Sequence, residues 1–260
     1  MKEKVIYYTD ELNEEFAPQQ LERKPVGSDY KYIRDGAFKK FTHFFWYRAV
    51  AMPLAFAFTR LKFRHRIRNA EVMKEYKGTG YFLYGNHTQD IADALIPNLI
   101  DRRRDKYILV NPANLSAPVI GPILPSLGAL PLPDTLKANK SFVAAIKRRF
   151  DEGAGIVIYP EAHIWPYYTD IRPFRDTSFE YPARLGAPVF CFTNTYVKRR
   201  HSKKPQIVTY VDGPFLPDES LPPRERRADL RDRVYRKMKE RAALSEVQVI
   251  KYIKKEKGNG

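Results

Sequence analysis

Residues 81–97 read YFLYGNHTQDIADALIP, and the order of residue types in this segment predicts a strand, a turn and a helix. The apolar run ends at Gly85 and Asn86, and from Ile91 onward apolar residues recur at helical spacing. This pattern puts His87 at the carboxyl end of a strand, where open α/β sheets place their ligands.

His87 is the candidate base of this segment. A neutral imidazole, with a pKa near ~6.5, accepts a proton at physiological pH if a carboxylate fixes its tautomer and stabilises the cation. Two carboxylates follow closely, Asp90 and Asp93. If His87 were already helical, Asp90 would share its face. If His87 lies in a turn before the helix, Asp93 can reach back, and we favour that pairing.

The rest of the chain repeats the alternation of strand and helix. Further strands are predicted at 106–110, 155–159, 188–193 and 206–211, and helices at 137–150 and 176–185. Such alternation is typical of an α/β fold with a mainly parallel sheet flanked by helices. Glu161 follows one of these strands, so its side chain and that of His87 are expected to share one cleft.

Four segments resemble, in order, the motifs of the glycerol-phosphate and lysophosphatidate acyltransferases. Gly85-Asn86-His87 followed by an acid resembles the first motif, and Gly128–Asp134 the second. Val157–Glu161 resembles the Phe-Pro-Glu-Gly-Thr motif, and Ala187–Thr193 the late Val-Pro-Val strand. The similarity spans about residues 76–215.

This resemblance implies a reaction and the residues that perform it. A fatty acyl group would pass from acyl-CoA or acyl carrier protein to a hydroxyl of a lysophospholipid or glycerol-phosphate acceptor, with no cofactor and no metal. His87 would be the base, oriented by Asp93 or Asp90. Asn86 and backbone amides would assist the oxyanion or an acceptor anion, and Glu161 would bind the acceptor.

Two departures from the family pattern concern these residues. The family's aspartate position falls on Ala92, between the two candidate acids. After Glu161 the family has Gly-Thr-Arg-Ser, whereas this chain has Ala-His-Ile-Trp, so a phosphate-binding arginine is missing. The candidate replacement cations are His163, Arg172 and Arg175, or else Lys137 and Lys140.

The formal net charge of +16 indicates an anionic partner. Nucleic acid and anionic lipid both qualify by charge. However, the sequence has no zinc-ligand spacing, no ribonucleoprotein motif and no Walker-type glycine loop, so we expect a membrane surface and no nucleic acid. Its single cysteine, Cys191, fits a reducing, cytoplasmic setting.

The chain is predicted to have three parts: residues 1–75, 76–215 and 216–260. The first contains a weakly patterned arm over residues 1–35 and then an aromatic, basic helical region expected to dock on the cytoplasmic face of the membrane. Its apolar segment, 41–58, is shorter than the ~20 residues of a spanning helix. The second part is the acyltransferase domain, and the third is a basic helix.

Two other functions remain open. The same histidine and acid could activate water, which would make the protein a thioesterase or lipid hydrolase. Alternatively, the altered motifs could belong to a non-catalytic protein that binds anionic membranes.

Overall fold

A seven-stranded sheet forms the centre of the protein in a computed structural model that describes residues 4–17, 22–34 and 36–255. The strands of this sheet are β2 (Arg66–Arg68), β3 (Tyr81–Gly85), β4 (Lys106–Val110), β5 (Ala129–Pro131), β6 (Gly155–Ile158), β7 (Val189–Arg199) and β8 (Ser202–Phe215). Their spatial order is β2-β8-β7-β3-β6-β4-β5. Strands β7, β3, β6, β4 and β5 are parallel, and only the β7–β8 pair is antiparallel. The predicted, mainly parallel α/β fold is confirmed.

Helices cover both faces of this sheet. They are α1 (Ala37–Phe44), α2 (Met52–Phe63), α3 (Asp90–Ile100), α4 (Leu136–Asp151), α5 (Glu180–Leu185) and α6 (Pro223–Ala242), with a π-helical segment, Phe45–Ala51, joining α1 to α2. Side chains of β3 alternate between two cores, with Phe82 and Tyr84 facing the core that contains α4 and α6. Leu83 faces the core of α2 and α3. A strand buried on both faces explains why this segment reads as a continuous apolar run.

The amino-terminal arm differs from its prediction. Residues Lys4–Tyr8 form strand β1, which pairs in parallel with β9 (Ile250–Lys254) in a separate two-stranded sheet. A strand that pairs with a distant segment leaves little local signal, because its register depends on the partner. Parts of the arm and residues 256–260 of the predicted tail lie outside the described residues.

The aromatic region expected to dock on a membrane is helical from Ala37 to Phe63. One narrow stripe of α2, formed by Ala55, Thr59 and Phe63, is buried against the protein. The outer surface carries exposed apolar side chains, namely Phe38, Phe41, Phe44, Phe45, Leu54, Phe56 and Leu61. Of the helices in the described ranges, none combines the length and apolarity that crossing a membrane requires.

The predicted basic helix of the carboxyl-terminal part is α6, Pro223–Ala242. Its apolar residues Leu230, Val234, Met238 and Ala242 are buried at helical spacing against the sheet. The basic side chains on the other faces of the helix are exposed or half-buried, and some pair with acids of the domain, as Arg241 does with Asp212.

Candidate active site

His87 and Asp93 form a hydrogen-bonded pair at the carboxyl end of β3. His87 Nδ1 lies 2.9 Å from Asp93 Oδ2. Residues Thr88 and Gln89 precede the helix, Gln89 is extended, and α3 begins only at Asp90, so Asp93 lies in the first turn of the helix and faces back toward the strand end. The Asp93 carboxylate also accepts hydrogen bonds from the backbone N–H groups of Thr88 and Gln89, each at 2.8 Å.

Asp90 does not join this pair. It is the first residue of α3 and its side chain is exposed to solvent. The two residues between His87 and the helix let Asp93 reach back to His87. They also allow the pairing although Asp93 lies one residue beyond Ala92, where the aspartate of the resembled family's motif falls.

Burial shapes the chemistry of this pair. Asp93 is 1% exposed, and loss of solvation raises the pKa of its carboxyl group, although the hydrogen bond from His87 opposes that effect. A more basic carboxylate holds the N–H of the imidazole more firmly. With Nδ1 donating to Asp93, the neutral His87 ring presents an unprotonated Nε2. Within the described residues, Nε2 has no hydrogen-bond partner.

Tyr159 fixes the plane of the imidazole. Its ring stacks on His87 with centroids 4.5 Å apart, and its hydroxyl donates to the backbone carbonyl of Asp93. Burial raises the pKa of Tyr159 well above its ordinary value, so the phenol stays neutral and stays a donor. The sequence analysis did not single out Tyr159, although it immediately precedes Pro160 and Glu161 at the end of β6.

A buried hydrogen-bond chain supports Asp93 from behind. The Asn194 amide donates to Asp93 Oδ1 at 3.3 Å, and the Thr209 hydroxyl donates to Asn194 Oδ1 at 2.6 Å. His65 Nε2 lies 2.8 Å from that hydroxyl. Sequence reasoning missed these residues, although the polar triplet Thr193-Asn194-Thr195 inside an apolar strand was a visible signal.

The side-chain amide of Asn86 hydrogen-bonds to the neighbouring strand. Its Oδ1 accepts from the backbone N–H of Asn194 at 2.8 Å, and its Nδ2 donates to the backbone carbonyl of the same residue at 3.1 Å. This pair of bonds joins the end of β3 to β7. Gly85, just before it, has no room for a side chain, because a Cβ atom there would lie 2.1 Å from the ring of Phe192.

Glu161 and Arg172 form an ion pair that is wholly buried beneath the site. Arg172 Nη2 lies 3.5 Å from Glu161 Oε2, and both side chains are 0% exposed. Glu161 also accepts the backbone N–H of His87 at 3.2 Å and that of Arg172 at 3.2 Å. Burial raises the pKa of Glu161, and the charge of Arg172 counteracts it.

The Arg172 guanidinium is used internally. It donates to the backbone carbonyls of Glu11, Glu161 and His163, and it lies over the ring of Trp165. Glu161 and Arg172 therefore bind together the turn at His87, the loop after β6 and the amino-terminal arm.

The remaining predicted cations lie at the surface. His163 is partly exposed, with Nδ1 3.3 Å from a carboxylate oxygen of Glu15. Arg175 is exposed and makes no ion pair within the described ranges. Lys137 and Lys140 are exposed near the start of α4, which follows β5 and so begins at the same edge of the sheet as His87.

The site contains a histidine, a buried acid that accepts its Nδ1 hydrogen bond and a supporting network, all held on strand and helix ends. In the described part of the chain, no three His, Cys, Asp or Glu side chains cluster closely enough to bind a metal ion. The arrangement is suited to removing a proton from a hydroxyl group or a water molecule.

Comparisons with known proteins bear on the fold. No protein-family model and no curated protein matches the sequence. The fold is similar to that of the crystal structure of the 1-acyl-sn-glycerophosphate acyltransferase PlsC from Thermotoga maritima, with a TM-score of 0.54. The match covers 80% of this chain and 81% of that chain at 15% sequence identity. The predicted resemblance in fold to this family is thereby confirmed.

Proposed function

We propose that the protein is an acyltransferase that moves a fatty acyl group from acyl-CoA or acyl carrier protein to a hydroxyl of a lysophospholipid or glycerol-phosphate-type acceptor, with His87 as general base. The observation that carries this proposal is the His87–Asp93 pair, 2.9 Å apart, with Asp93 buried and His87 partly exposed, on a fold similar to that of PlsC. In the neutral ring Nδ1 carries the proton that it donates to Asp93, so Nε2 is the nitrogen that can accept one.

The chemistry follows from the orientation of the imidazole. Nε2 removes the proton of the acceptor hydroxyl as that oxygen attacks the thioester carbonyl. The resulting imidazolium is stabilised by Asp93 through Nδ1, as in hydrolase triads, with the acceptor hydroxyl in the place of a serine. When the tetrahedral intermediate collapses, the thiolate leaves and recovers the proton from Nε2, so the base is regenerated.

Acceptor binding must use cations that a ligand can reach from the solvent. Arg172 is buried and bonded to the protein, so its role is to hold Glu161 and the turn at His87. Exposed cations remain at Lys137, Lys140 and Arg175, with His163 partly exposed. These are the groups that we assign to the acceptor's phosphate.

The surface of α1 and α2 supports association with an anionic membrane. Its exposed phenylalanines and leucines are followed by five basic residues between Arg60 and Arg68. The β7–β8 hairpin lies beside this basic segment, because Arg199 donates to the carbonyl of Lys62 and Gln206 donates to that of Arg64. The hairpin therefore adds further cations to this surface. Apolar side chains beside a cationic rim suit a helix at the headgroup boundary, where each basic residue contributes about 1 kcal/mol. We place the protein at the cytoplasmic face of the membrane.

The activity is tested by incubating purified protein with radiolabelled acyl-CoA or acyl carrier protein and a panel of lysolipids in mixed micelles, alongside His87→Ala. Product that requires both the acceptor and His87 supports the transferase. Acyl loss that is independent of any acceptor would instead show a thioesterase or lipid hydrolase. No turnover with any donor, in protein that still binds anionic vesicles, would show a non-catalytic membrane-binding protein.

The membrane contact has its own test. Phe41→Asp places a charge on the exposed surface of α1 and should reduce co-sedimentation with vesicles that contain anionic lipid. Asp218→Asn, at an exposed site just before α6, is a control for surface substitution. Equal binding by both variants and the wild type would refute docking through α1.

A further inference from the structure

Three buried polar side chains, Asn194, Thr209 and His65, form a polar network that leads away from Asp93. Asn194 on β7 donates to Asp93 Oδ1 at 3.3 Å. Thr209, its cross-strand partner on β8, donates to Asn194 Oδ1 at 2.6 Å, and His65 Nε2 lies 2.8 Å from the Thr209 hydroxyl oxygen. All three residues are less than a tenth exposed. The network therefore contacts the active site through Asp93 and not through a ligand.

The direction of each hydrogen bond in the polar network follows from its acceptor. The Asp93 carboxylate only accepts, so Asn194 presents Nδ2 to it and turns Oδ1 toward Thr209. An amide oxygen also only accepts, so the single hydroxyl proton of Thr209 points to Asn194. The hydroxyl oxygen then accepts from His65, which requires a proton on Nε2. Burial lowers the pKa of His65 to about 4, so the ring is neutral and this is its one proton. All three residues thus donate in the direction of Asp93.

Packing alone does not account for polar side chains at these positions. Asn194 lies on the face of β7 that also presents Phe192 and Tyr196 to the core of α2 and α3. An apolar residue would fill that space without needing partners. The amide of Asn194 instead satisfies Asp93 Oδ1, while Oδ2 accepts from His87 Nδ1 and from two backbone N–H groups. With donors on both oxygens, the carboxylate cannot rotate without breaking a hydrogen bond.

The backbone and the side chain of Asn194 have separate partners. Its backbone N–H and carbonyl bind the side-chain amide of Asn86, which joins β3 to β7. Its own side chain binds Asp93 and Thr209. A substitution of the Asn194 side chain, or of the hydroxyl behind it, therefore leaves the link between the two strands in place.

We propose that the residues of the polar network are positioning residues for acyl transfer. They hold the carboxylate of Asp93 in the orientation that pairs it with His87. This proposal rests on the function proposed above, in which His87 is the general base, and it gives the network no contact with substrate. In a buried network each hydrogen bond polarises the next, so the loss of one donor weakens the bonds nearer to Asp93.

The first test compares two threonine-to-valine variants in acyl transfer from oleoyl-CoA to oleoyl lysophosphatidic acid in mixed micelles. Thr209→Val removes the hydroxyl of the polar network and keeps the shape of the side chain. Thr195→Val is the matched control, because Thr195 is equally buried and its hydroxyl donates to the backbone carbonyl of Val208 at 2.9 Å. We expect Thr209→Val to lower kcat about tenfold (about 1.4 kcal/mol) at unchanged KM, and Thr209→Ser to restore it. Thr195→Val should retain the wild-type kcat.

A double variant shows whether the effect passes through Asp93. Adding Thr209→Val to Asp93→Asn should cause no further loss of kcat, because the charged carboxylate that the network positions is already gone. A further tenfold loss in that background would overturn the proposal. Equal losses in Thr209→Val and Thr195→Val, or a change confined to KM, would overturn it as well.

An NMR measurement follows the same pair without catalysis. In protein that contains isotope-labelled histidine, the Nδ1–H proton of His87 reports its hydrogen bond to Asp93 and is assigned by its loss in His87→Ala. This resonance should move in Thr209→Val and in Asn194→Leu, return in Thr209→Ser and stay in place in Thr195→Val. An unchanged resonance in Thr209→Val would refute the positioning role whether or not the protein transfers acyl groups. If the resonance moves but the wild type transfers no acyl group, the positioning of the pair stands and the proposed transfer fails.

Discussion

The substitution Asp93→Asn tests whether the buried pair is the source of the proposed catalysis. An asparagine keeps the shape of the side chain, and its amide oxygen can still accept the N–H groups of Thr88 and Gln89. It removes the charge that stabilises the imidazolium of His87. Two unit charges about 4 Å apart at an effective dielectric constant of about 20 attract by about 4 kcal/mol. Because each 1.36 kcal/mol is a factor of ten in rate, we expect kcat to fall by about 10³-fold.

The assay is acceptor-dependent transfer from labelled acyl-CoA under single-turnover conditions, so that product release does not mask the chemical step. Asp90→Asn is the matched control, because it removes the same charge from the same helix at an exposed position. It should retain nearly all activity. Thermal unfolding of both variants should show that each is folded. If Asp93→Asn and Asp90→Asn lose activity equally, the assignment of Asp93 as the orienting acid is wrong.

Three further changes test the scaffold around the site. Burial lowers the pKa of His65 to about 4, so below pH ~6.5 the unfolded chain binds a proton that the native state does not. The free energy of unfolding should therefore fall by about 3 kcal/mol between pH 6.5 and 4, and by less in His65→Gln. Arg172→Met leaves Glu161 buried without its partner and should lower the free energy of unfolding, measured in urea, by about 3–5 kcal/mol. Gly85→Ala forces a Cβ atom against Phe192 and should cost about 1–3 kcal/mol.

Each of these has a companion measurement. If the free energy of unfolding depends equally on pH in His65→Gln and in the wild type, His65 is not the source of that dependence. The double variant Arg172→Met/Glu161→Gln should be more stable than Arg172→Met alone, and equal or lower stability would argue against an unpaired carboxylate as the cause. Adding Phe192→Leu should restore part of the free energy of unfolding that Gly85→Ala loses. If it does not, contact with Phe192 is not the source of the strain.

The strands near the site were predictable because their burial on two faces leaves continuous apolar runs. Strand β3 and the start of α3 follow directly from the pattern of residues 81–97, since the switch from an apolar run to helical spacing is a local property. The position of Glu161 at the end of β6 followed from the same reasoning. The pairing of β1 with β9 was not predictable, because a short edge strand is stabilised by a partner more than two hundred residues away.

The sequence by itself determined the fold class, the place of His87 at a strand end and the presence of two acids near it, because these depend on residues close together in the chain. Only the tertiary structure decided between Asp93 and Asp90, since that choice depends on where helix α3 begins and which way its first turn faces. The tertiary structure also turned Arg172 from a candidate for acceptor binding into the buried partner of Glu161. It likewise placed Asn194, Thr209 and His65 behind Asp93, because strands β7, β8 and the segment before β2 meet only in the folded sheet.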